Sequence, residues 1–455
     1  MATEKEQAPQ AKEKETAVAQ NVAQQLEESC EQLIEYGGFE LIESSVDGAK
    51  VMSPESKARK NIFLTESTKK ADREQLKRQL EIWYDLLKDA DDIPAMIEKA
   101  QEKSDAAAQL LNANLKKALD NTRNLEQAYR SVALFYKNTE SDKVKNITIF
   151  NASLERLKDL DNTLVSDKIA EELKQHHDRL DLRENYSLMV IPGYLGSNKV
   201  VEKWAKIAYQ NKVMLITDFE HLDDPDAVME DFDAANLTGG EIHRSNVMMT
   251  CNWLVGREKY NELGEDEELF VPPSTALAGK IYNTLIAQPT AGKIHGGLNE
   301  VDGVKFDLKK SEITELEKRG LVPLVNEWGK VMAFSAKTLY NGNDIGLQTY
   351  SVVRVFDYIG KVIIDFLNRQ AFVNWTTKVE RDLKLEIGRY LNSIKGADKI
   401  IESFQVMKLT QDKETKRIHL DIHITPFFPA KNFLLKLGGT KGDTAEEWAS
   451  EYSET

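Results

Sequence analysis

Residues 320–339 read GLVPLVNEWGKVMAFSAKTL. Two short apolar runs, LVPLVN and VMAFSAK, flank Glu327, Trp328, Gly329 and Lys330, the pattern of two strands joined by a glycine-containing turn. Just before them, SEITELEKRG puts Ile313 and Leu316 on one helical face and leaves Gly320 to end the helix. A helix running straight into a hairpin marks a mixed α/β chain, and the flanks extend that reading in both directions.

Upstream, YSLMVIPG from Tyr186, a helix over 199–210, VMLITDF, a helix over 225–235 and then NVMMTCNWLV alternate strand with helix. This order predicts a parallel sheet with crossover helices. Downstream, a helix over 348–369 is apolar almost all round, broken only by Arg354, Asp357, Lys361, Asp365 and Asn368, whose spacing places them on one narrow stripe. It is expected to be mostly buried and to tolerate change along the stripe. A polar helix follows over 374–393, then three strand candidates: FQVMKLT, RIHLDIHIT and NFLLKL. In the middle one Ile418, Leu420, Ile422 and Ile424 face one way, while Arg417, His419, Asp421, His423 and Thr425 face the other. That outer face is wet or paired with a partner.

At the other end, residues 1–22 are rich in Ala, Gln, Glu and Lys and read as a flexible arm. Leu76, Leu80, Trp83 and Leu87 recur at helical spacing, and a longer helix begins near Asp92 with Pro94 in its first turn. Along it Ile97, Leu111, Ala118, Leu125 and Val132 are separated by multiples of seven. Two readings stay open: a helical hairpin, or a coiled-coil arm reaching another subunit. The expected organisation is an arm over 1–22, a helical region over 23–140, an α/β core over 141–345, helices and strands over 346–440, and a polar tail over 441–455. The class is α/β at the core and α+β overall.

Composition narrows the function. The 455 residues are 41% hydrophobic, enough for a sizeable core, and carry a net charge of -15. Phosphate neutralisation needs clustered Lys and Arg, so nucleic acid is not an expected partner. Two cysteines, Cys30 and Cys251, make no disulfide framework and suit a reducing compartment. No apolar leader stands at the N-terminus, and the densest apolar run, over 352–367, is interrupted by charges too often to span a bilayer.

Candidate chemistry is sparse. The turn PGYLGSNK lies between a strand and a helix, with Gly193, Gly196 and Lys199 in it and Asp218 ending the next strand. The spacing matches neither a P-loop nor a dinucleotide fingerprint, so an ordinary strand-to-helix turn is expected. His419, Asp421 and His423 share a strand face. Their histidine backbones, about 13–14 Å apart, are too distant for easy convergence on zinc. His176 and His177 read as a solvated pair, and residues 262–268, which hold five acids and no base, as an exposed loop. No catalytic, cofactor or metal residue is expected.

Asn299 and Gly303, a short helix, Gly320, the strand pair, Leu339 and the helix carrying Arg354 together resemble contractile tail-sheath proteins, as do Val271, Pro272, Pro273, Ser274, Ala278 and Gly279 upstream. Within that superfamily the chain is most similar to the large sheath subunit of the type VI secretion system, over about 146–437. Lys337, where phage sheaths often have Arg, and the segment TPFFPAKNF suggest a divergent subclass.

The resemblance implies a non-enzymatic structural subunit in the bacterial cytoplasm that polymerises around an inner tube and contracts to deliver effectors. It implies as partners a small sheath subunit, further copies of the chain, the inner tube protein, a baseplate and an AAA+ unfoldase, with no nucleic acid and no membrane insertion. It also implies strand exchange between subunits, for which Phe404, Val406, Ile418, Leu420, Ile422, Ile424, Phe433, Leu435 and Leu437 are the candidates. The alternatives are a nucleotide-dependent α/β enzyme and a single-component phage-like or extracellular injection sheath.

Overall fold

A computed structural model describes residues 65–88, 92–139, 144, 146–412, 414, 417–431, 434–440 and 447–453. The arm expected over residues 1–22 and the candidate Phe433 lie outside them. The chain divides into two compact units, Met1–Ala118 and Leu119–Thr455.

In the first unit α1 (Lys70–Leu87) precedes α2 (Ile93–Asn138), a helix of 46 residues that continues into the second unit. At 1.5 Å per residue it is about 69 Å long. The Asp92 carboxylate accepts from the Ala95 N–H at 2.8 Å and so caps its start, where Pro94 costs no hydrogen bond.

The second unit continues with α3 (Leu154–Lys158), α4 (Leu164–His177), β1 (Leu188–Ile191), α5 (Asn198–Gln210), β2 (Met214–Asp218), α6 (Pro225–Ala235) and β3 (Val247–Cys251). Next come β4 (Leu254–Arg257), β5 (Leu269–Val271), α7 (Ser274–Asn283), α8 (Gly292–His295), β6 (Gly303–Val304), α9 (Lys310–Lys318), β7 (Leu321–Glu327) and β8 (Lys330–Ala333). It ends with α10 (Ile345–Gln348), α11 (Tyr350–Arg369), α12 (Thr377–Ser393), β9 (Ile401–Asp412), β10 (Arg417–Pro426), β11 (Leu434–Thr440) and β12 (Glu447–Ser453).

The central sheet has the order β1-β2-β3-β7-β8, parallel through β7 and antiparallel at β8. Its strands are covered on both faces, which is why MLITD and VMMTC are buried at every position instead of alternating. Leu215, Val247 and Met249 pack on one side with Trp204 and Ala208 of α5, Phe232 of α6 and Leu316 of α9. Met214, Ile216 and Met248 pack on the other with Leu134 of α2, Leu277 and Ile281 of α7, and Tyr350 of α11. The hairpin of the opening motif closes through a two-residue loop with Trp328 at φ 52° and Gly329 at φ 73°, the doubly positive geometry that matches strand twist.

The expected strand NVMMTCNWLV is two strands. Asn252, at φ 67°, breaks it, and its amide donates to the carbonyls of Phe306 and Leu324, so β4 leaves the central sheet to pair with β5 and β6. The polar stripe of α11 also differs from expectation, since it faces inward. Asp357 accepts from Asn246 Nδ2 at 2.8 Å, Lys361 Nζ donates to the Tyr186 carbonyl at 2.8 Å, and Asp365 accepts from the Leu182 N–H at 3.3 Å. Phe356, Tyr358 and Ile364 are its exposed large apolar side chains. Periodicity located the stripe, but the polar loop ends of the α/β core attract it inward.

Asp218 joins several of these elements. Fully buried at the end of β2, it accepts from Gly193 N (2.8 Å), Thr250 Oγ1 (2.5 Å), Ser274 N (2.7 Å) and Ser274 Oγ (2.6 Å). Burial pushes its carboxyl upward, and these four donors oppose that. The PPS segment therefore works as a helix start capped by an acid from another strand. Gly279, farther along α7, lets α2 approach, because a Cβ there would collide with the Phe135 carbonyl.

Candidate assembly surfaces

The three C-terminal strand candidates do not form one sheet. β9 and β10 form an antiparallel ribbon, and β11 pairs separately with β12, a strand within the segment read as a polar tail. Among the described residues neither ribbon pairs with a further strand, so each keeps two backbone edges without a ladder partner. Leu420, on the middle strand candidate, therefore sits in a two-stranded ribbon.

In the first ribbon Phe404 lies opposite Ile424, Val406 opposite Ile422 and Leu409 opposite Leu420. The register shifts between Asp421 and Ile422, with Met407 as the extra residue on β9, a β-bulge. Strict alternation from Phe404 and Val406 would have turned Lys408 inward. The bulge turns Leu409 inward instead, which is why it was missing from the expected set. Phe404, Val406, Leu420, Ile422 and Ile424 are half-buried against Val355, Ile359 and Ile363 of α11 and Ile387 and Leu391 of α12. Ile418 lies nearer the distal end and is exposed. His419, Asp421 and His423 are exposed on the opposite face. In the second ribbon Leu435 is opposite Tyr452 and exposed, and Leu437 is opposite Ser450. Five of the candidate side chains thus face the chain's own helices, and the ribbon edges offer backbone.

A second surface runs along α2. Arg123, Glu126, Gln127, Arg130 and Asn138 clasp the α/β body, with Arg123 donating to Glu265 Oε1 at 3.0 Å, Gln127 to the Phe270 carbonyl at 2.8 Å and Arg130 to the Gly256 carbonyl at 3.0 Å. Glu265 is thus no exposed acid. Its side chain is 5% exposed, and Arg257 grips both oxygens at 2.6 and 2.8 Å, holding its carboxyl down at about 2. Arg257 on β4 and Arg123, far away in sequence on α2, draw the loop in. The other face of α2 is apolar and open: Leu125 is 71% and Tyr129 72% exposed, with Val132 and Tyr136 beside them at helical spacing. Ile97 and Leu111, in the first unit, are exposed as well.

The candidate chemistry resolves into structural contacts. Gly193 sits at φ 94° and Gly196 at φ 86°; the Gly193 N–H, which would cradle a phosphate, donates to Asp218. Asp218, placed where a ribose-binding acid would sit, is sealed in the core, so both residues behind the nucleotide reading are committed to each other. His176 is no solvated residue, since its ring nitrogens lie 2.8 Å from the Glu184 carbonyl and 3.1 Å from Glu172. Burial holds the His177 imidazole below its ordinary pKa. Among the described residues there is no cluster of His, Cys, Asp or Glu able to hold a metal ion, and no helix long and apolar enough to cross a membrane.

Comparison with known proteins gives three family profiles along the chain: the TssC/VipB-like N-terminal region at residues 26–115, the type VI secretion system TssC/VipB central domain at 117–341, and the TssC/VipB-like C-terminal domain at 349–454. No curated protein matches the chain. Among solved structures it is similar to a chain of the anti-feeding prophage baseplate (16% identity, 66% of this chain and 84% of that one, TM-score 0.45). It is also similar to the anti-feeding prophage helical sheath in the contracted state (15%, 70% and 82%, 0.49). A third similar structure is the contracted sheath complex of the PVC extracellular contractile injection system (15%, 52% and 68%, 0.40). The three profiles follow one another along nearly the whole sequence, and on that ground the chain belongs to the TssC/VipB family of the type VI secretion system.

Proposed function

We propose that this chain is the large subunit of a contractile sheath that polymerises helically in the bacterial cytoplasm around an inner tube and contracts to drive effector delivery. Family membership supports the system, and the observation that carries the role is the pair of C-terminal ribbons with open edges. An added strand gains backbone hydrogen bonds without a large apolar patch. A head-to-tail contact that does not close generates a filament. Phe404, Val406, Leu420, Ile422 and Ile424 hold the first ribbon from behind, Ile418, Leu435 and Leu437 mark the rest of the exchanging strands, and exchange runs through the backbone.

The exposed face of α2 supports a second partner. A helix anchored by its polar side, with Leu125 and Tyr129 turned outward, suits a coiled-coil contact with a small sheath subunit. Inner tube, baseplate and an AAA+ unfoldase complete the proposed partners. Co-expression with the small subunit encoded beside it, followed by negative-stain microscopy, tests the reading. Tubes are expected from the pair and none from a chain ending at Lys431. Tubes from the chain alone would favour a single-component sheath, and tubes of normal length from the shortened chain would remove the ribbons from the assembly.

A further inference from the structure

Two buried guanidinium groups of the α/β body, those of Arg257 and Arg244, are held by several acceptors each. Arg257 is gripped by Glu265 and Glu126, and Arg244 by Glu241 at 2.9 Å, Asn198 Oδ1 at 2.8 Å and the Leu237 carbonyl. Arg354 departs from this habit. It is 8% exposed on α11, yet its Nε and Nη1 have no hydrogen-bond partner among the described residues. Ser351, one turn earlier on the same face, is fully buried with its Oγ unpartnered as well. The ionisable neighbour that acts on Arg354 is the Tyr350 phenol, whose oxygen already accepts from the Thr290 N–H at 2.7 Å. Burial without a counter-charge pushes the guanidinium down to about 10.

A desolvated cation left unpaired is among the costliest arrangements a fold can hold, and replacing it with an apolar side chain of similar volume is then neutral or stabilising. The vacant donors define what would satisfy them. A planar fork of N–H groups beside a hydroxyl matches a carboxylate, taken up with two parallel hydrogen bonds. Tyr358, one turn further along the same face, is partly exposed, so this stretch of α11 borders solvent. The chain carries 75 acidic against 60 basic residues, so copies of itself present carboxylates in excess.

We propose that Arg354 and Ser351 form the receiving half of an ion pair completed by a carboxylate side chain of another copy of this chain in the assembly. This rests on the assembly reading above. The pair separates the energetics of the two states: Arg354 is a burden on the lone subunit and a fastener in the polymer.

Arg354→Met in the full chain tests it through the sign of two effects. The unassembled variant should melt a few degrees above the wild type, because a buried unpaired charge has been removed, whereas tube formation beside the small subunit should be largely lost. Arg354→Lys, which keeps charge without the fork, should recover part of the tubes and covers the case in which the methionine variant fails to fold. A lower melting temperature for unassembled Arg354→Met would show that the carboxylate comes from the same chain and overturn the proposal. Tubes in normal yield from both variants would overturn it as well. A wild-type pair that never forms tubes would overturn the assembly reading, and this inference with it.

Discussion

The central sheet and the C-terminal ribbons treat their edges in opposite ways. In the sheet, helices cover both faces and a buried carboxylate ties three strand ends to a helix start. In the first ribbon one face lies on α11 and α12, and in both ribbons the backbone edges stay open among the described residues. The first arrangement secures the subunit, and the second leaves hydrogen-bonding capacity for a neighbour. Stability should therefore concentrate in the sheet and assembly in the ribbons, a division that substitutions can test.

The largest effect on stability is expected at Asp218. Asp218→Ala strips four donors of their acceptor inside the core and should destabilise by about 3–5 kcal/mol in urea unfolding. A loss below about 1 kcal/mol would mean that the sheet does not depend on this junction.

Acid should act next, through Glu265. Arg257 holds its carboxyl at about 2, against an ordinary 4.5, so the folded state binds that proton less readily than the unfolded chain does. The resulting stability is complete above about pH 4.5 and fades as pH falls toward about 2, amounting to no more than about 3 kcal/mol. Urea midpoints measured from pH 6 to pH 3 should fall less steeply in Glu265→Gln than in the wild type. Identical slopes would detach the acid loop from the clasp.

Within the first ribbon the inner and distal positions should separate. Leu409→Ala removes a buried side chain and should cost about 2–4 kcal/mol, while Ile418→Ala, at an exposed site, should cost under about 1. Equal shifts in melting would contradict the bulged register. The smallest effect on the body should come from ending the chain at Lys431, which deletes the second ribbon. Its unfolding free energy should change by under about 1 kcal/mol while tubes are lost, and a large drop in stability would erase the contrast between the two regions.

Much of this was legible from local pattern. Gly320 ends α9 at φ 92°, the Trp328-Gly329 loop joins β7 to β8, and the helices and strands of the core fall where periodicity puts them. Contacts distant in sequence were not legible. Glu265 looks solvated until Arg123 and Arg257 are brought to it, and the stripe of α11 looks outward-facing until Asn246, Tyr186 and Leu182 are in place. Lys361 consequently matters more than its place on a polar stripe suggested, for burial holds its ammonium down at about 8 while it donates to a backbone carbonyl. β12 escaped notice because EWASEYS alternates weakly and finds its partner in β11, across a connection that composition reads as tail. In the first ribbon, the insertion at Met407 shifts the phase of the pattern midway, and a rule of alternation has no way to anticipate that.

The same insertion has a mechanical meaning. A uniform ribbon pulled along its axis can creep: each hydrogen bond re-forms one notch along, and the load is relieved by sliding. With Met407 wedged between its two halves, β9 has no equivalent notch, since any shift would drive Lys408 or Thr410 against the apolar helices while Leu409 came out. The bulge acts as a pawl. A strand ladder so locked carries tension up to the force that breaks it and does not yield gradually.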